Sequence, residues 1–278
     1  MQPFKQHISS KYTRMLVLIS LTLLSLSAHA LDHTHAAWTT FLKKNTVLIS
    51  NGNGSQMNYK GAMEDRAALK AYLASLSAVS QAEFDSFSKA DQLAFLINAY
   101  NAYTVEKILT KYPNLKSIKD FGTVFGNPWK DAFFKLLGKE MTLDGIEQNT
   151  IRKPGVYDEP RIHFAVNCAS IGCPSLREEA YQGKLLDKQL EEQTVRFLSD
   201  RSRNRYNTQN GKLEVSKIFD WYKQDFTTGL KGIASREQFF AKYASQLGDS
   251  AEDQTKIRGA KVALEFLDYD WNLNDVKK

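Results

Sequence analysis

One stretch of the sequence, from Ser88 to about Lys111, has a helical pattern and is apolar on nearly every face. A helix that is apolar all round is stable only when other elements bury it. Ser88, with Asp91 three residues later, is the predicted N-cap, and Pro113 follows where the helix must end. The chain is therefore expected to fold around this helix.

Two asparagines, Asn98 and Asn101, lie inside this apolar surface. Burying an amide without partners costs about 1–3 kcal/mol, so both side chains must be hydrogen-bonded. They either tie neighbouring loops to the helix, which is the commoner arrangement, or contact a ligand directly.

The first 30 residues have the three parts of a secretory signal peptide: a basic start, an apolar run at 15–26 and the A-x-A sequence at 28–30. The apolar run has 12 residues, whereas a membrane-spanning helix needs about 20. An uncleaved membrane anchor is the alternative. We expect cleavage after Ala30, no stable membrane span in the remaining chain, and a periplasmic or secreted protein.

Charge and composition exclude several classes of protein. The signal holds three Lys or Arg and no acidic residue, so its removal lowers the formal charge from +6 to +3. With an exported destination, this small excess argues against a nucleic-acid partner, and the basic run at 201–205 is interpreted as a solvated loop. With 42% hydrophobic and 24% charged residues, the chain from 31 to 278 is predicted to be a single globular domain.

The segment RIHFAVNCASIGCPSL, residues 161–176, carries the most reactive side chains. Alternation predicts a strand over 161–167 that includes His163. A loop holding both cysteines follows, and a helical pattern begins at about Ser175. A strand, a tight loop and a helix commonly form a functional site.

The remaining elements complete a helix-rich α+β fold with a small antiparallel or mixed sheet. We expect this sheet to combine a hairpin at 133–142, the strand with His163 and a C-terminal strand within 262–274. Thr142 is predicted to cap a helix whose Glu147 points inward and needs a partner such as Arg152 or Arg161. The aromatic residues of the C-terminal helices are predicted to be core.

Four segments carry a resemblance to a known family. INAYNAYTVEKIL (97–109), TLDGIEQNTIRK (142–153), PRIHFAVNCASIGCPSLREEAY (160–181) and LEVSKIFDWYKQDF (213–226) resemble the domain-of-unknown-function 547 family, found in exported bacterial proteins and in plants. The likeness covers about residues 80–226 and implies a fold rather than an activity. The family pattern reads Ile-Glu-His where this chain has Ile146-Glu147-Gln148, which removes an imidazole.

The histidine and cysteine positions suggest a thiol mechanism. Of the five histidines, two lie in the signal and His33 and His35 near the new N-terminus, which leaves His163 in the domain body. Cys168 or Cys173 would then be the nucleophile and His163 the base. Asn98, Asn101 or Glu147 would orient the imidazole.

A disulfide between Cys168 and Cys173 is the competing prediction, because an oxidising compartment favours it and the intervening loop can bring their Cα atoms within about 7 Å. A metal site built from His163, both cysteines and a carboxylate is a further alternative, although this spacing is unusual for zinc. No motif indicates a cofactor.

Two functions follow from these alternatives. The first is a cysteine-dependent hydrolase or acyl transferase that acts on an envelope substrate. The second is a non-enzymatic module that binds a small molecule, peptide or protein of the envelope at a loop shaped by the Cys168–Cys173 disulfide.

Overall fold

The computed structural model describes residues 30–122 and 127–276, so residues 1–29 of the predicted signal peptide lie outside the described part. The helices are α1 (Ala36–Asn45), α2 (Tyr59–Glu64), α3 (Arg66–Ala78), α4 (Gln81–Ser86), α5 (Lys89–Leu109), α6 (Leu143–Ile146), α7 (Leu186–Leu198), α8 (Ile218–Trp221), α9 (Arg236–Lys242), α10 (Ala244–Leu247) and α11 (Ala251–Arg258). The strands are β1 (Thr46–Ile49), β2 (Gly54–Met57), β3 (Phe134–Leu136), β4 (Lys139–Met141), β5 (Arg205–Asn207), β6 (Lys212–Ser216) and β7 (Leu264–Leu267).

Short helices of other types connect these elements. A π-helix, Glu147–Ile151, continues α6. The 3-10 helices are Ser50–Gly52, Ile118–Phe121, Pro128–Lys130, Pro160–Phe164, Gly183–Leu185, Lys223–Phe226 and Leu230–Gly232.

Helix α5 is the centre of the fold, as its pattern predicts. Of its 21 residues, 17 are buried. The hydroxyl of Ser88 accepts a hydrogen bond from the backbone N–H of Asp91, at 3.1 Å, which satisfies one of the free donors of the first turn. Helix α3 packs against one side of α5, and the 3-10 helix before α7 packs against another.

The described strands form three small sheets rather than one. Strands β1 and β2 form one antiparallel hairpin, and β3 and β4 form another. Strand β6 pairs antiparallel with β5 and parallel with β7. The helix-rich α+β class and the hairpin at 133–142 are thus confirmed, whereas the prediction that this hairpin joins the C-terminal strand in one sheet is wrong.

The predicted strand at 161–167 is instead a 3-10 helix, Pro160–Phe164. The carboxylate of Glu159 accepts a hydrogen bond from the backbone N–H of Arg161, at 3.1 Å, and Pro160 fits the first turn because it lacks an N–H. Ile162 is buried in the core around α5, and Phe164 is buried in a second core formed by the C-terminal helices. The alternating pattern reflects this insertion between two cores, not a sheet.

The predicted helix from Ser175 begins only at Leu186, after the 3-10 turn Gly183–Leu185. The chain before it is irregular because side chains of the flanking helices satisfy its backbone groups. Gln189 of α7 donates to the carbonyl of Ala180 and accepts from the N–H of Gln182, both at 2.9 Å.

The two buried asparagines of α5 tie loops to the central helix. Asn98 donates to the carbonyl and accepts from the N–H of Tyr181, at 2.8 and 2.9 Å. Asn101 donates to the carbonyl of Ala165 at 2.9 Å and accepts from the N–H of Asn167 at 2.8 Å. Each amide therefore forms the pair of backbone hydrogen bonds that a neighbouring strand would otherwise provide to the loop.

The basic run at 201–205 is ion-paired rather than simply solvated. Arg201 pairs with Asp249, Arg203 with Asp200, and Arg205 with Glu214. Each of the three arginines thus has a carboxylate partner.

His35 also belongs to the folded body, which corrects the placement of His163 as its only histidine. The ring is 2% exposed, and its Nδ1 lies 2.9 Å from the hydroxyl of Tyr72. Burial lowers the pKa of His35 to about 4.

We expect Asn101→Ala to lower the free energy of unfolding by about 2–4 kcal/mol, because it leaves a buried carbonyl and a buried N–H unpaired. Denaturant unfolding measures this value. The exposed Asn114→Ala is the matched control and should change it by less than about 0.5 kcal/mol. Equal effects of the two variants would contradict the role given to Asn101.

His35 should make the fold sensitive to acid. Above pH about 6.5 the His35 ring is neutral in both the folded and the unfolded protein. Between pH about 6.5 and about 4, the ring is protonated in the unfolded chain but stays neutral in the folded protein. The free energy of unfolding should fall by about 3 kcal/mol over this range.

Urea unfolding at a series of pH values measures this slope. His35→Gln should reduce it, and His33→Gln, whose native side chain is 40% exposed, serves as the control. An unchanged slope in His35→Gln would argue against a neutral buried ring.

Candidate functional site

A pocket of about 220 Å³ opens between the two cores. Its walls come from α5, α6 and the π-helix, the 3-10 helix at 160–164, the cysteine loop, α8 and the chain after β7. Of the predicted site residues, the structure brings His163, Glu147, Cys168 and Cys173 to this pocket. Asn98 and Asn101 do not line it, and their amides hold the loops described above.

Cys168 and Cys173 are joined in a disulfide with a Cα–Cα distance of 6.2 Å. The predicted bond is therefore present, and both cysteines line the pocket. In this state neither sulfur is a thiolate, so neither can act as a nucleophile or a metal ligand. A nucleophilic role for Cys168 requires reduction of the bond and stays a prediction.

The chain after β7 covers the cysteine loop. The backbone N–H groups of Ile171 and Gly172 donate to the carbonyls of Asn272 and Asp270, each at 2.8 Å. A Cβ at Gly172 would lie only 2.9–3.0 Å from the ring carbons of Tyr269, so only glycine allows this close packing. These contacts fix the disulfide as a rigid part of the wall.

Tyr269 joins the wall to the disulfide. Its hydroxyl lies 3.1 Å from each of the two sulfur atoms. Burial raises the pKa of Tyr269 well above its usual value, which keeps the hydroxyl protonated at neutral pH.

His163 is oriented by Asp225, a residue that sequence reasoning did not select. The Nε2 atom of His163 lies 2.7 Å from Oδ2 of Asp225, and the histidine side chain is 1% exposed. Arg152 donates two further hydrogen bonds to the same carboxylate, at 2.7 and 2.9 Å.

The charge state of Asp225 determines the tautomer of His163. Burial would raise the pKa of Asp225, but the hydrogen bonds from His163 and Arg152 outweigh it and hold this pKa well below its usual value. The ionised carboxylate can only accept, so Nε2 of His163 donates. In the neutral ring Nδ1 is then an acceptor, and no donor among the described residues reaches it.

Glu147 is 4% exposed and begins the π-helix. It needs a cationic or donor partner, but neither arginine named as an example fills this role: Arg152 binds Asp225, and Arg161 binds Glu159, Asp187 and Glu191. The hydroxyl of Tyr222 donates to Glu147 instead, at 2.8 Å. Thr142 caps the start of α6 as predicted, and the π-turn that follows is a distortion often found at functional sites.

Tyr222 contacts both Glu147 and the residues around Asp225. Its ring stacks on His163 with centroids 3.9 Å apart, while the guanidinium of Arg152 lies 4.8 Å from the same ring. Burial and the adjacent Glu147 carboxylate raise the pKa of Tyr222, so its hydroxyl remains a donor.

Aromatic side chains form the outer wall of the pocket. Trp271 contacts Trp129, Trp221 and Tyr269, with ring centroids 5.9, 5.6 and 4.5 Å apart. Trp221 was predicted to be core, but 45% of it is exposed at the mouth of the pocket.

The pocket is acidic among the described residues. Asp144 and Glu147 line it, and no lysine or arginine does. Burial raises the pKa of Asp144, and the nearby Lys130 partly opposes this effect. Gln148 also lines the pocket and accepts a hydrogen bond from Arg152.

Several site residues were missed because they come from distant parts of the chain. Asp225 and Tyr222 lie in the fourth family-like segment, 213–226, and that likeness was the one signal that marked them. Nothing local to Trp129, Tyr269 or Trp271 indicates that they meet at the cysteine loop.

Comparison with known proteins gives one family. Residues 84–198 match the profile of the family described as "Protein of unknown function, DUF547". No curated protein and no solved structure matches the chain. The matched segment contains α5, the hairpin, the π-helix and the cysteine loop, and the aromatic wall beyond residue 198 lies outside it.

The disulfide predicts the outcome of a thiol count. Iodoacetamide should leave the intact mass unchanged in native and in denaturing buffer, and two carbamidomethyl groups should be added only after reduction. Fast labelling of Cys168 in the native, unreduced protein would contradict the disulfide.

Removal of the disulfide should also lower stability. The double variant Cys168→Ser, Cys173→Ser should lose about 2 kcal/mol of unfolding free energy, since the bond closes a short loop. The matched comparison is the unfolding free energy of the wild-type protein with and without reductant. Reductant should not change the unfolding free energy of the variant.

Proposed function

Residues 84–198 match the profile of the DUF547 family, whose description states no activity, so we propose a function from the pocket itself. The protein is a non-enzymatic module that binds a small organic molecule in the pocket walled by the Cys168–Cys173 disulfide. The observation that carries this proposal is that the disulfide lines the pocket and is contacted there by Tyr269 and the chain around Asn272.

The lining of the pocket supports binding. Small-molecule sites combine apolar and aromatic walls with a few fixed polar groups. Here the tryptophans and Tyr269 supply the walls, and Glu147 and His163 supply the polar groups. Both polar side chains are held by hydrogen bonds, to Tyr222 and to Asp225. Ligand binding therefore costs little side-chain conformational entropy.

We place this function in the cell envelope or outside the cell. Disulfides persist in oxidising compartments, which agrees with the predicted signal peptide. Across the part of the chain that the structure describes, no helix combines the length and apolar character that a bilayer span requires. The ligand is then a component of the envelope or its surroundings.

A thiol-dependent hydrolase or acyl transferase is the second candidate. It is favoured by His163, which lines the same pocket as Cys168 and is hydrogen-bonded to Asp225 in the manner of an oriented base. This mechanism requires reduction of the disulfide to generate the Cys168 thiolate.

Tryptophan fluorescence tests binding directly, because three of the four tryptophans line the pocket and Trp38 is buried elsewhere. In a screen of small organic compounds, we expect saturable changes in emission from the oxidised protein. Trp221→Phe should diminish the change, whereas Trp38→Phe should retain it.

Reduction separates the two candidate functions. The binding module should lose affinity by about tenfold on reduction or in Cys168→Ser, Cys173→Ser, because the loop wall must then be ordered by the ligand. Bound compounds should be recovered unchanged. Hydrolysis of p-nitrophenyl esters that appears only after reduction and is abolished in Cys168→Ser would instead support the thiol enzyme.

A further inference from the structure

The polar groups of the pocket define the chemistry of the ligand that fits it. We propose that the ligand is a small organic ammonium ion, a cation that carries N–H donors. This inference rests on the proposed binding function and narrows it to one ligand class.

The first argument is the excess of negative charge. Asp144 and Glu147 both line the pocket, and neither forms an ion pair with a lysine or arginine in the described chain. Glu147 is 4% exposed and receives a hydrogen bond from the neutral hydroxyl of Tyr222. A buried carboxylate without a cationic partner is costly, so a cation entering the pocket supplies the missing charge.

The second argument is the excess of acceptors. His163 is 2% exposed, and its Nδ1 has no partner among the described residues. Because Nε2 donates to Asp225, Nδ1 carries a lone pair whenever the ring is neutral. An ammonium group has three donors and no acceptor, which suits a site formed by this nitrogen and two carboxylates.

The third argument is the aromatic wall. Ring faces attract cations, and Trp is the strongest of them. The protein already uses this contact at the edge of the site, where Nζ of Lys119 lies 3.7 Å from the ring centroid of Trp271. The inner faces of the same wall, with Trp221 and Tyr269, offer similar surfaces to a ligand.

The same features disfavour other ligand classes. An anion would meet two carboxylates, and the neutral donors of the lining, which are amides, indole N–H groups and tyrosine hydroxyls, bring no positive charge to balance it. A neutral polyol would bring donors but would leave the charge of Glu147 unbalanced. The combination of two carboxylates and aromatic faces favours the cation.

Three probes of similar size test the charge requirement: n-butylammonium, 1-butanol and butyrate. Calorimetry and tryptophan fluorescence near pH 7 on the oxidised full protein give the affinities. We expect n-butylammonium to bind at least about tenfold more tightly than 1-butanol, and butyrate not to bind.

Variants assign this preference to the pocket. Glu147→Gln should weaken n-butylammonium binding about tenfold and Asp144→Asn about threefold, with little effect on 1-butanol. Glu140→Gln, an exposed carboxylate on β4, is the matched control and should change nothing. Asp144 is only half-buried, so its variant keeps the test valid if Glu147→Gln fails to fold.

The outcomes distinguish this inference from the proposed function. If 1-butanol or butyrate binds as tightly as n-butylammonium, the pocket binds small molecules but the cation proposal is wrong. If n-butylammonium fails to bind while the compound screen finds other ligands, the cation proposal alone is overturned. If the screen also finds none, both are overturned.

Discussion

The burial of α5 is the constraint on which the rest of the structure depends. Because the helix is enclosed on all sides, its two internal amides must find partners, and they find them in the backbone of the loops at 165–167 and 181. These loops flank the cysteine segment on both sides. The position of His163 and the disulfide is therefore a consequence of how the central helix satisfies its own polar groups.

The site is completed by two elements that are far apart in sequence. The 3-10 helix at 223–226 brings Asp225 to His163, and the chain at 269–273 brings Tyr269 and Trp271 to the disulfide. Both approach from the C-terminal part of the chain, beyond the family match at 84–198. The matched segment thus supplies the cysteine loop, both pocket carboxylates and Trp129, while later residues supply the partner of His163 and most of the aromatic wall.

The sequence predicted the elements that depend on interactions between residues close together in the chain. The caps at Ser88 and Thr142, the buried helix between them and the hairpin at 134–141 follow from turn chemistry and periodicity. The segment 161–167 was misread because insertion between two cores produces the same alternation as a strand. Asp225 could not be assigned to His163, because a contact across 62 residues leaves no periodic trace in one sequence.

A histidine bound to an aspartate is not by itself evidence of catalysis. Arg152 also binds Asp225 and helps to keep it ionised. These contacts orient the imidazole whether or not a thiolate is nearby. A nucleophilic mechanism also requires a free Cys168 thiol, which is absent while the disulfide is formed. With the sulfurs joined, no thiol proton is available to His163, and its Nδ1 is a buried atom without a partner among the described residues. The same imidazole that would be a base in the reduced protein is therefore, in the oxidised protein, a buried polar group that Asp225 holds in the pocket wall.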